Sequence, residues 1–128
     1  ILKKGQYINY NHEGLTQVSL DTSLLRNILI NLISNAIKFS PEGANIWVDS
    51  RCTESEITLT IKDEGLGIPE EDMKHLFERF FRGKNMMNIQ GTGLGLHIVS
   101  KYVELMGGKI EVESQLEVGT KFTIKFNI

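Results

Sequence analysis

Four segments of the chain alternate apolar and polar residues with a period of two, and this pattern restricts the fold more than any other feature. The segments are residues 46–51, 56–63, 109–114 and 120–128. Such alternation is typical of strands that bury one face and expose the other to solvent. A polar turn joins the first two segments, and a turn that contains Gly119 joins the last two. The alternation therefore predicts a sheet with one covered face.

Three segments with helical periodicity can supply the cover for that face. The first runs over residues 24–39, between the capping cluster DTS at 21–23 and the terminating sequence SPEG at 40–43. The second starts at Pro69, with three acids behind it, and fades near Phe80 or Phe81. The third runs over residues 93–106 and is closed by two glycines. Residues 6–12 and 17–20 are predicted as two short additional strands. We therefore predict an α+β fold, a two-layer α/β sandwich in which about three helices cover one face of a mixed sheet.

The composition is that of one soluble globular domain. The chain has 128 residues, of which 41% are hydrophobic and 23% charged. Its net charge of -2 gives no reason to expect nucleic acid or an anionic membrane as the main partner. The single cysteine, Cys52, excludes an internal disulfide and fits a reducing compartment.

Targeting segments are not visible in the sequence. The longest apolar runs fall short of the roughly 18–20 residues that a membrane-spanning helix needs, and no signal peptide is recognisable. We therefore expect a cytoplasmic domain that does not insert into a membrane itself. The chain starts at Ile1 rather than Met, so residues 1–128 are expected to be one domain cut from a longer protein. Whether that parent is an inner- or plasma-membrane sensor stays open.

A polar stripe on the first long helix is the first feature that points to chemistry. At 100° per residue, Asn31, Asn35 and Lys38 fall within a narrow arc, with Asn27 beside it. A solvated face is one explanation, but asparagine is a poor helix former and therefore costs stability there. The alternative is a binding role, because an asparagine carbonyl suits Mg²⁺ and a lysine can meet a phosphate.

The carboxylate of Asp63 is the second feature. Asp63 has the same parity as the apolar residues Leu59 and Ile61, so its side chain is directed toward the core side at the end of a strand. It either caps the turn around Gly65 and Gly67 or accepts a hydrogen bond from an exocyclic amine such as adenine N6. The two glycines would let the backbone approach a flat ligand closely.

The sequence GTGLGL at 91–96 is the third feature, because it opens a helix with three glycines. The glycines either form a hinge or present bare N–H donors to a phosphate at the positive end of the helix dipole. The preceding loop is basic, which favours the phosphate site.

In sequence order, these features resemble the ATP-site motifs of histidine kinases and of the wider GHKL, or Bergerat-fold, ATPases. NLISNAIKFSP at 31–41 looks like the N box, DEGLGIP at 63–69 like the G1 box, FERFFR at 77–82 like the F box and GTGLGL at 91–96 like the G2 box. GGKIEVES at 107–114, followed by GTKF at 119–122, matches the closing hairpin of the family. The resemblance spans residue 21 to the C-terminus, and four ordered motifs are far more specific than any one of them.

The resemblance implies a role for each matching side chain. Asn35 would ligate Mg²⁺ with Asn31 assisting nearby, and Lys38 and Arg82 would contact phosphates. Phe39 would pack beside the nucleotide. Asn31, Lys38 and Arg82 are the predicted catalytic residues.

The resemblance also implies how the base and the phosphates are held. Asp63 would hold adenine N6, with Thr120 acting through a water, and Ile68 and Phe80 would support the pocket or anchor a lid formed by residues 82–92. The remaining predicted ATP contacts belong to the G1 and G2 boxes: Gly65, Gly67, Gly91, Thr92, Gly93, Leu94, Gly95 and Leu96.

One position separates the branches of this superfamily. Topoisomerase, chaperone and mismatch-repair ATPases usually carry a glutamate where Asn31 stands, and that glutamate activates the attacking water. An amide cannot accept this proton, so we expect slow hydrolysis. A kinase does not need the glutamate, because its nucleophile is a histidine nitrogen brought by another domain.

The phosphoacceptor histidine of such a kinase is not expected within this chain. His12-Glu13 resembles the acceptor motif for two residues, but the basic residue and the proline of that motif are missing. His75 and His97 are predicted to be ordinary helix residues. The isolated chain should therefore bind ATP without phosphorylating itself.

The sequence thus predicts a domain that binds Mg-ATP and supplies the γ-phosphate for histidine autophosphorylation in a two-component sensor kinase. Its expected partners are the dimerisation and phosphoacceptor domain of the same kinase and a downstream response regulator. Two alternatives stay open. One is a nucleotide-binding or docking module without kinase activity, and the other is a different GHKL kinase or ATPase.

Overall fold

The computed structural model describes residues 5–14, 21–78 and 95–127. Its elements are, in chain order, β1 (Tyr7–Gly14), α1 (Thr22–Phe39), β2 (Asn45–Cys52), β3 (Glu56–Asp63), α2 (Glu70–Met73), α3 (Gly95–Leu105), β4 (Lys109–Gln115) and β5 (Gly119–Asn127). The strand predicted at residues 17–20 lies outside the described residues. Among the described residues, no helix is long and apolar enough to cross a membrane.

The strands form one mixed sheet in the order β1-β2-β3-β5-β4. β1 runs parallel to β2, and the other neighbouring strands are antiparallel. The predicted α+β class with a mixed sheet is therefore confirmed. The four strands predicted from alternation are each found within one residue of the predicted bounds, because their alternation matches a sheet with one buried face.

The core lies between this sheet and the helices α1 and α3. Val48, Ile61 and Phe122 form a row across three adjacent strands, and all three are buried. α1 packs Ile28, Leu32, Ala36 and Ile37 against the sheet, and α3 adds Val99 and Val103. The other face of the sheet is open, and there the Lys62 ammonium lies 5.3 Å from the centroid of the Trp47 ring.

The helix that was predicted to start at Pro69 and to fade near Phe80 or Phe81 is wrong in length. α2 ends at Met73, after one turn of helix. Beyond it, His75 N–H donates to the Asp72 carbonyl at 3.0 Å, and Glu78 N–H donates to the His75 carbonyl at 3.0 Å. Such bonds from residue i+3 to residue i tighten the chain into successive turns, which the acids and the apolar residues of this segment do not distinguish from a helix.

Gln6 terminates α1 from a distant part of the sequence. Its side-chain amide lies 3.2, 3.1 and 3.2 Å from the carbonyl oxygens of Ile37, Ser40 and Pro41. The last carbonyls of a helix have no partner within the helix, so a buried helix end needs external donors. Gln6 is 6% exposed and supplies such donors. The end of α1, which carries Lys38 and Phe39, is thereby tied to the start of β1.

Replacement of Gln6 by Ala should lower the free energy of unfolding by about 1–3 kcal/mol, because it removes a donor from the buried carbonyl oxygens of Ile37 and Ser40. Asn9→Ala is the matched control, since Asn9 also donates through its side-chain amide from β1 but at an exposed position. We expect the control to change stability by less than about 0.5 kcal/mol. Urea denaturation measures both, and equal losses in the two variants would contradict the capping role of Gln6.

Candidate functional site

A narrow cavity opens where α1, the loop after β3 and the ends of β3 and β5 meet. Its volume is about 20 Å³, which is room for roughly one water molecule, so a larger flat ligand enters only if its walls separate. A neighbouring cavity of about 370 Å³ shares Phe39 and Leu66 with it. The residues lining the narrow cavity are Asn35, Phe39, Asp63, Leu66, Gly67, Ile68, Leu96, Thr120 and Phe122.

The predicted site residues divide into four groups by position, of which one, Asn31 and Gly95, lines neither cavity. All the lining residues of the narrow cavity except Leu66 and Phe122 were predicted from the sequence, so the fold brings residues from four separate motifs together. Lys38 and Gly65 line the neighbouring cavity. The predictions for Phe80, Arg82, Gly91, Thr92, Gly93 and Leu94 fall outside the described residues.

Asp63 is held by two backbone hydrogen bonds that both reach the same oxygen. Gly65 N–H donates to Asp63 Oδ1 at 2.8 Å, and Thr120 N–H donates to it at 3.2 Å. Asp63 is 8% exposed, and its Oδ2 has no hydrogen-bond partner among the described residues. The two roles considered from the sequence are therefore compatible, because one oxygen caps the turn and the other remains available in the cavity.

Burial raises the pKa of Asp63 above its ordinary value of 3.8. The hydrogen bonds from Gly65 and Thr120 act in the opposite direction and lower the pKa, but by less than burial raises it. A carboxylate that is costly to bury and is left with one oxygen unbonded is suited to a hydrogen-bond donor from a ligand.

Asp63 belongs to a row of polar side chains at one end of the sheet. It pairs with Thr120 on β5, and Thr120 pairs with Ser114 on β4. Ser114 Oγ accepts the Ile68 N–H at 2.7 Å, donates to the Gly119 carbonyl at 3.0 Å and lies 2.9 Å from Thr120 Oγ1. Ser114 was not among the predicted site residues. The parity that identified Asp63 also applies to Ser114, which follows Ile110 and Val112 on the same side of β4.

The asparagine stripe of α1 is oriented by hydrogen bonds to its own helix. Asn27 Nδ2 donates to the Ser23 carbonyl at 2.9 Å, and Asn31 Nδ2 donates to the Asn27 carbonyl at 2.8 Å. Because the nitrogens are engaged, the carbonyl oxygens remain as acceptors. A Cβ on Gly95, at the start of α3, would lie 3.2 Å from Asn31 Oδ1. The side chain of Asn35 makes no hydrogen bond to another described residue, and it lines the narrow cavity.

The glycines of the loop after β3 allow this loop to approach other backbone segments of the same chain. Leu66 N–H donates to the Phe39 carbonyl at 3.0 Å, and Glu117 N–H donates to the Leu66 carbonyl at 2.8 Å. A Cβ on Gly65 would lie 2.6 Å from Phe39 O, and a Cβ on Gly67 would collide with the Gln115 carbonyl oxygen. Close backbone packing therefore explains why glycines occupy these two positions, and the sequence did not indicate this explanation.

None of the three histidines lies among the described lining residues of these two cavities. His12 lies within β1, and its Nδ1 is 2.6 Å from Ser50 Oγ. His75 pairs with Glu78 at 2.6 Å in the turns after α2. His97 lies in α3, with its Nδ1 3.1 Å from the Phe77 carbonyl oxygen.

Replacement of Gly67 by Ala should destabilise the fold by at least about 2 kcal/mol more than replacement of Gly43 by Ala. Both glycines have left-handed backbones, with φ of +76° and +78°. A Cβ on Gly43 would meet nothing within 4 Å, so that variant reports backbone strain alone. Thermal and urea unfolding measure the difference, and similar losses would show that the contact with Gln115 is unimportant.

Asp63→Asn should change the dependence of stability on pH. The folded-state pKa of Asp63 lies above its unfolded value, so its contribution to stability is full below the unfolded pKa and is lost as pH rises through the folded pKa. The asparagine keeps an oxygen for the two backbone donors but does not titrate. The free energy of unfolding of the variant, relative to the wild type, should therefore rise as the pH increases from below 3.8 through the raised pKa of Asp63. A constant difference over this range would contradict the raised pKa.

Comparison with known proteins places this geometry in a family. Residues 20–128 match the family described as histidine kinase-, DNA gyrase B-, and HSP90-like ATPase. Sensor histidine kinase YvrG of Bacillus subtilis is 42% identical over 111 residues, which are 86% of this chain and 19% of that relative. The chain thus spans about a fifth of the length of this curated relative.

Solved structures give the same result for the fold. The mycobacterial sensor histidine kinase MprB superposes with a TM-score of 0.81 at 32% identity, over 94% of this chain and 83% of that chain. Full-length ShkA in complex with AMPPNP superposes with a TM-score of 0.81 at 28% identity, over 95% of this chain and 25% of that chain. The chain is therefore a member of the histidine kinase-, DNA gyrase B- and HSP90-like ATPase family, and it carries the ATP-binding domain of that family.

Proposed function

We propose that this domain binds Mg-ATP and supplies the γ-phosphate to a histidine on a separate phosphoacceptor domain of a two-component sensor kinase. The observation that carries the proposal is a pair of polar groups in one cavity. Asp63 Oδ2 and the Asn35 amide both belong to lining residues, and neither has a partner among the described residues. An acceptor and an amide that are not engaged by the protein itself remain available to a ligand that enters this cavity.

The base is the part of the nucleotide that suits Asp63. An exocyclic amine carries two N–H donors, and Asp63 Oδ2 is an acceptor held in place through its second oxygen. The apolar side chains of Ile68, Leu96 and Phe122 line the same cavity and can pack against the faces of a flat ring. This combination supports adenine as the base.

The asparagines of α1 fit a magnesium ion by the chemistry of their oxygens. Mg²⁺ prefers hard oxygen ligands and usually retains several waters, so one or two amide oxygens suffice on the protein side. Asn35 is the proposed ligand, and Asn31 Oδ1 lies on the same face one turn earlier. When bound, the ion would neutralise phosphate charge. Lys38 is exposed at the neighbouring cavity, where it can meet a phosphate, and Arg82 and the G2-box residues are proposed to complete the phosphate contacts.

The proposed reaction is transfer to a nucleophile from outside the chain rather than hydrolysis. Asn31 cannot act as a general base, and Asp63 is committed to two backbone N–H groups at the base end of the cavity. Positioning and charge neutralisation are then the contributions of this domain. The relatives named as sensor histidine kinases support this choice, and a response regulator would receive the phosphoryl group afterwards.

Isothermal titration with Mg-ADP tests the proposal. The wild type should bind, and Asn35→Ala should weaken binding at least about tenfold with Mg²⁺ present but much less with EDTA. Asp63→Asn should weaken binding by a similar factor in both conditions. The asparagine would place its NH₂ group, a donor, against the exocyclic amine of the base, which is also a donor. Asn27→Ala is the matched control on the same helix, and it should bind as the wild type does. Absence of binding by the wild type would refute the proposal.

A further inference from the structure

We infer that Ser114 is a specificity-determining positioning residue. Its hydroxyl fixes the direction of the Thr120 hydroxyl, so that Asp63 and Thr120 together present hydrogen-bond acceptors and no donor to a base in the cavity. The inference rests on the proposed function, because it concerns the nucleotide base that this cavity selects. It follows from the three hydrogen bonds of the Ser114 hydroxyl, which has a single proton to donate.

The single proton of Ser114 is assigned by its neighbours. The Gly119 carbonyl can only accept, and it lies 3.0 Å from Ser114 Oγ. The Ile68 N–H can only donate, and it lies 2.7 Å away. With the proton of Ser114 directed to Gly119, the contact of 2.9 Å to Thr120 Oγ1 is a hydrogen bond only if Thr120 donates. Thr120 therefore donates to Ser114.

This direction determines what Thr120 offers to a ligand. A threonine hydroxyl has one proton and two lone pairs, and the proton is used on Ser114. Thr120 is 7% exposed and lines the same cavity as Asp63, which is its partner in the antiparallel register. Among the described lining residues, Asp63 and Thr120 therefore both offer acceptors, Oδ2 and Oγ1, at the paired ends of β3 and β5.

Two acceptors side by side discriminate between purines by the group at C6. A 6-amino group brings N–H donors, whereas a 6-oxo group would place its lone pairs against these acceptors. To accommodate a 6-oxo group, Thr120 would have to rotate its hydroxyl away from Ser114. Ser114 would then lose one of three bonds in a half-buried network. Discrimination thus depends on Ser114, although Ser114 does not line the cavity itself.

The test compares ADP with inosine diphosphate, which carries a carbonyl at C6 and a hydrogen on N1. Isothermal titration of the whole chain in Mg²⁺ gives the ratio of the Kd for inosine diphosphate to the Kd for ADP. Ser114→Ala should lower this ratio at least about fivefold, because Thr120 becomes free to donate to the carbonyl. Ser114→Thr keeps the hydroxyl and should keep the ratio. Ser114→Cys has a weak donor and a weak acceptor, so it should also lower the ratio if the alanine variant does not fold.

A second comparison, in the Thr120→Val background, distinguishes an effect on the orientation of the Thr120 hydroxyl from a general structural effect of Ser114→Ala. In that background, Ser114→Ala should leave the ratio of the two Kd values unchanged within about twofold, because no Thr120 hydroxyl remains for Ser114 to orient. Equal weakening of both nucleotides by Ser114→Ala in the wild-type background would overturn the inference, since a merely structural role has that effect. Wild-type protein that binds neither nucleotide would instead refute the proposed function.

Discussion

The antiparallel register between β3 and β5 is the constraint on which the rest of the site depends. It places Asp63 opposite Thr120, after a row of buried apolar pairs. The carboxylate of Asp63 therefore lies on the core side of the sheet, at the end of β3. Two backbone N–H groups then hold one of its oxygens. A shift of one residue would turn Asp63 to the open face of the sheet, and the cavity would lose its acceptor.

The loop after β3 connects this row to the helix layer through backbone atoms rather than side chains. Leu66 bonds the end of α1 through its N–H and the hairpin between β4 and β5 through its carbonyl. Gln6, the residue before β1, holds the same end of α1. The bonds of Leu66 connect the end of α1, which carries Phe39, to the loop that follows Asp63. The glycines at 65 and 67 allow the close approach, because a Cβ at either position would meet a carbonyl oxygen.

The candidate site was predicted from the sequence wherever local patterns were informative. The parity of Asp63 and the helical spacing of Asn31 and Asn35 are properties of single elements, and the structure places Asn35 and Asp63 in one cavity. Ser114 and Gln6 were not predicted, because each forms hydrogen bonds with residues more than thirty positions away in the sequence. Gln6 bonds the end of α1, and Ser114 bonds Ile68 in addition to its neighbours in the hairpin. The segment after Pro69 was predicted too long, because i+3 turns and a helix share the same apolar spacing.

Periodicity and capping residues were sufficient to indicate which segments are strands, which are helices and where most of them end, because these properties depend on interactions between neighbours in the chain. The ordered motifs of the sequence alone likewise indicated an ATP-binding domain. The pairing of strands, the direction of the hydrogen bonds around Ser114 and the closure of α1 by Gln6 required the folded chain. These features depend on which distant atoms meet, and the amino-acid pattern of a single segment does not contain that information.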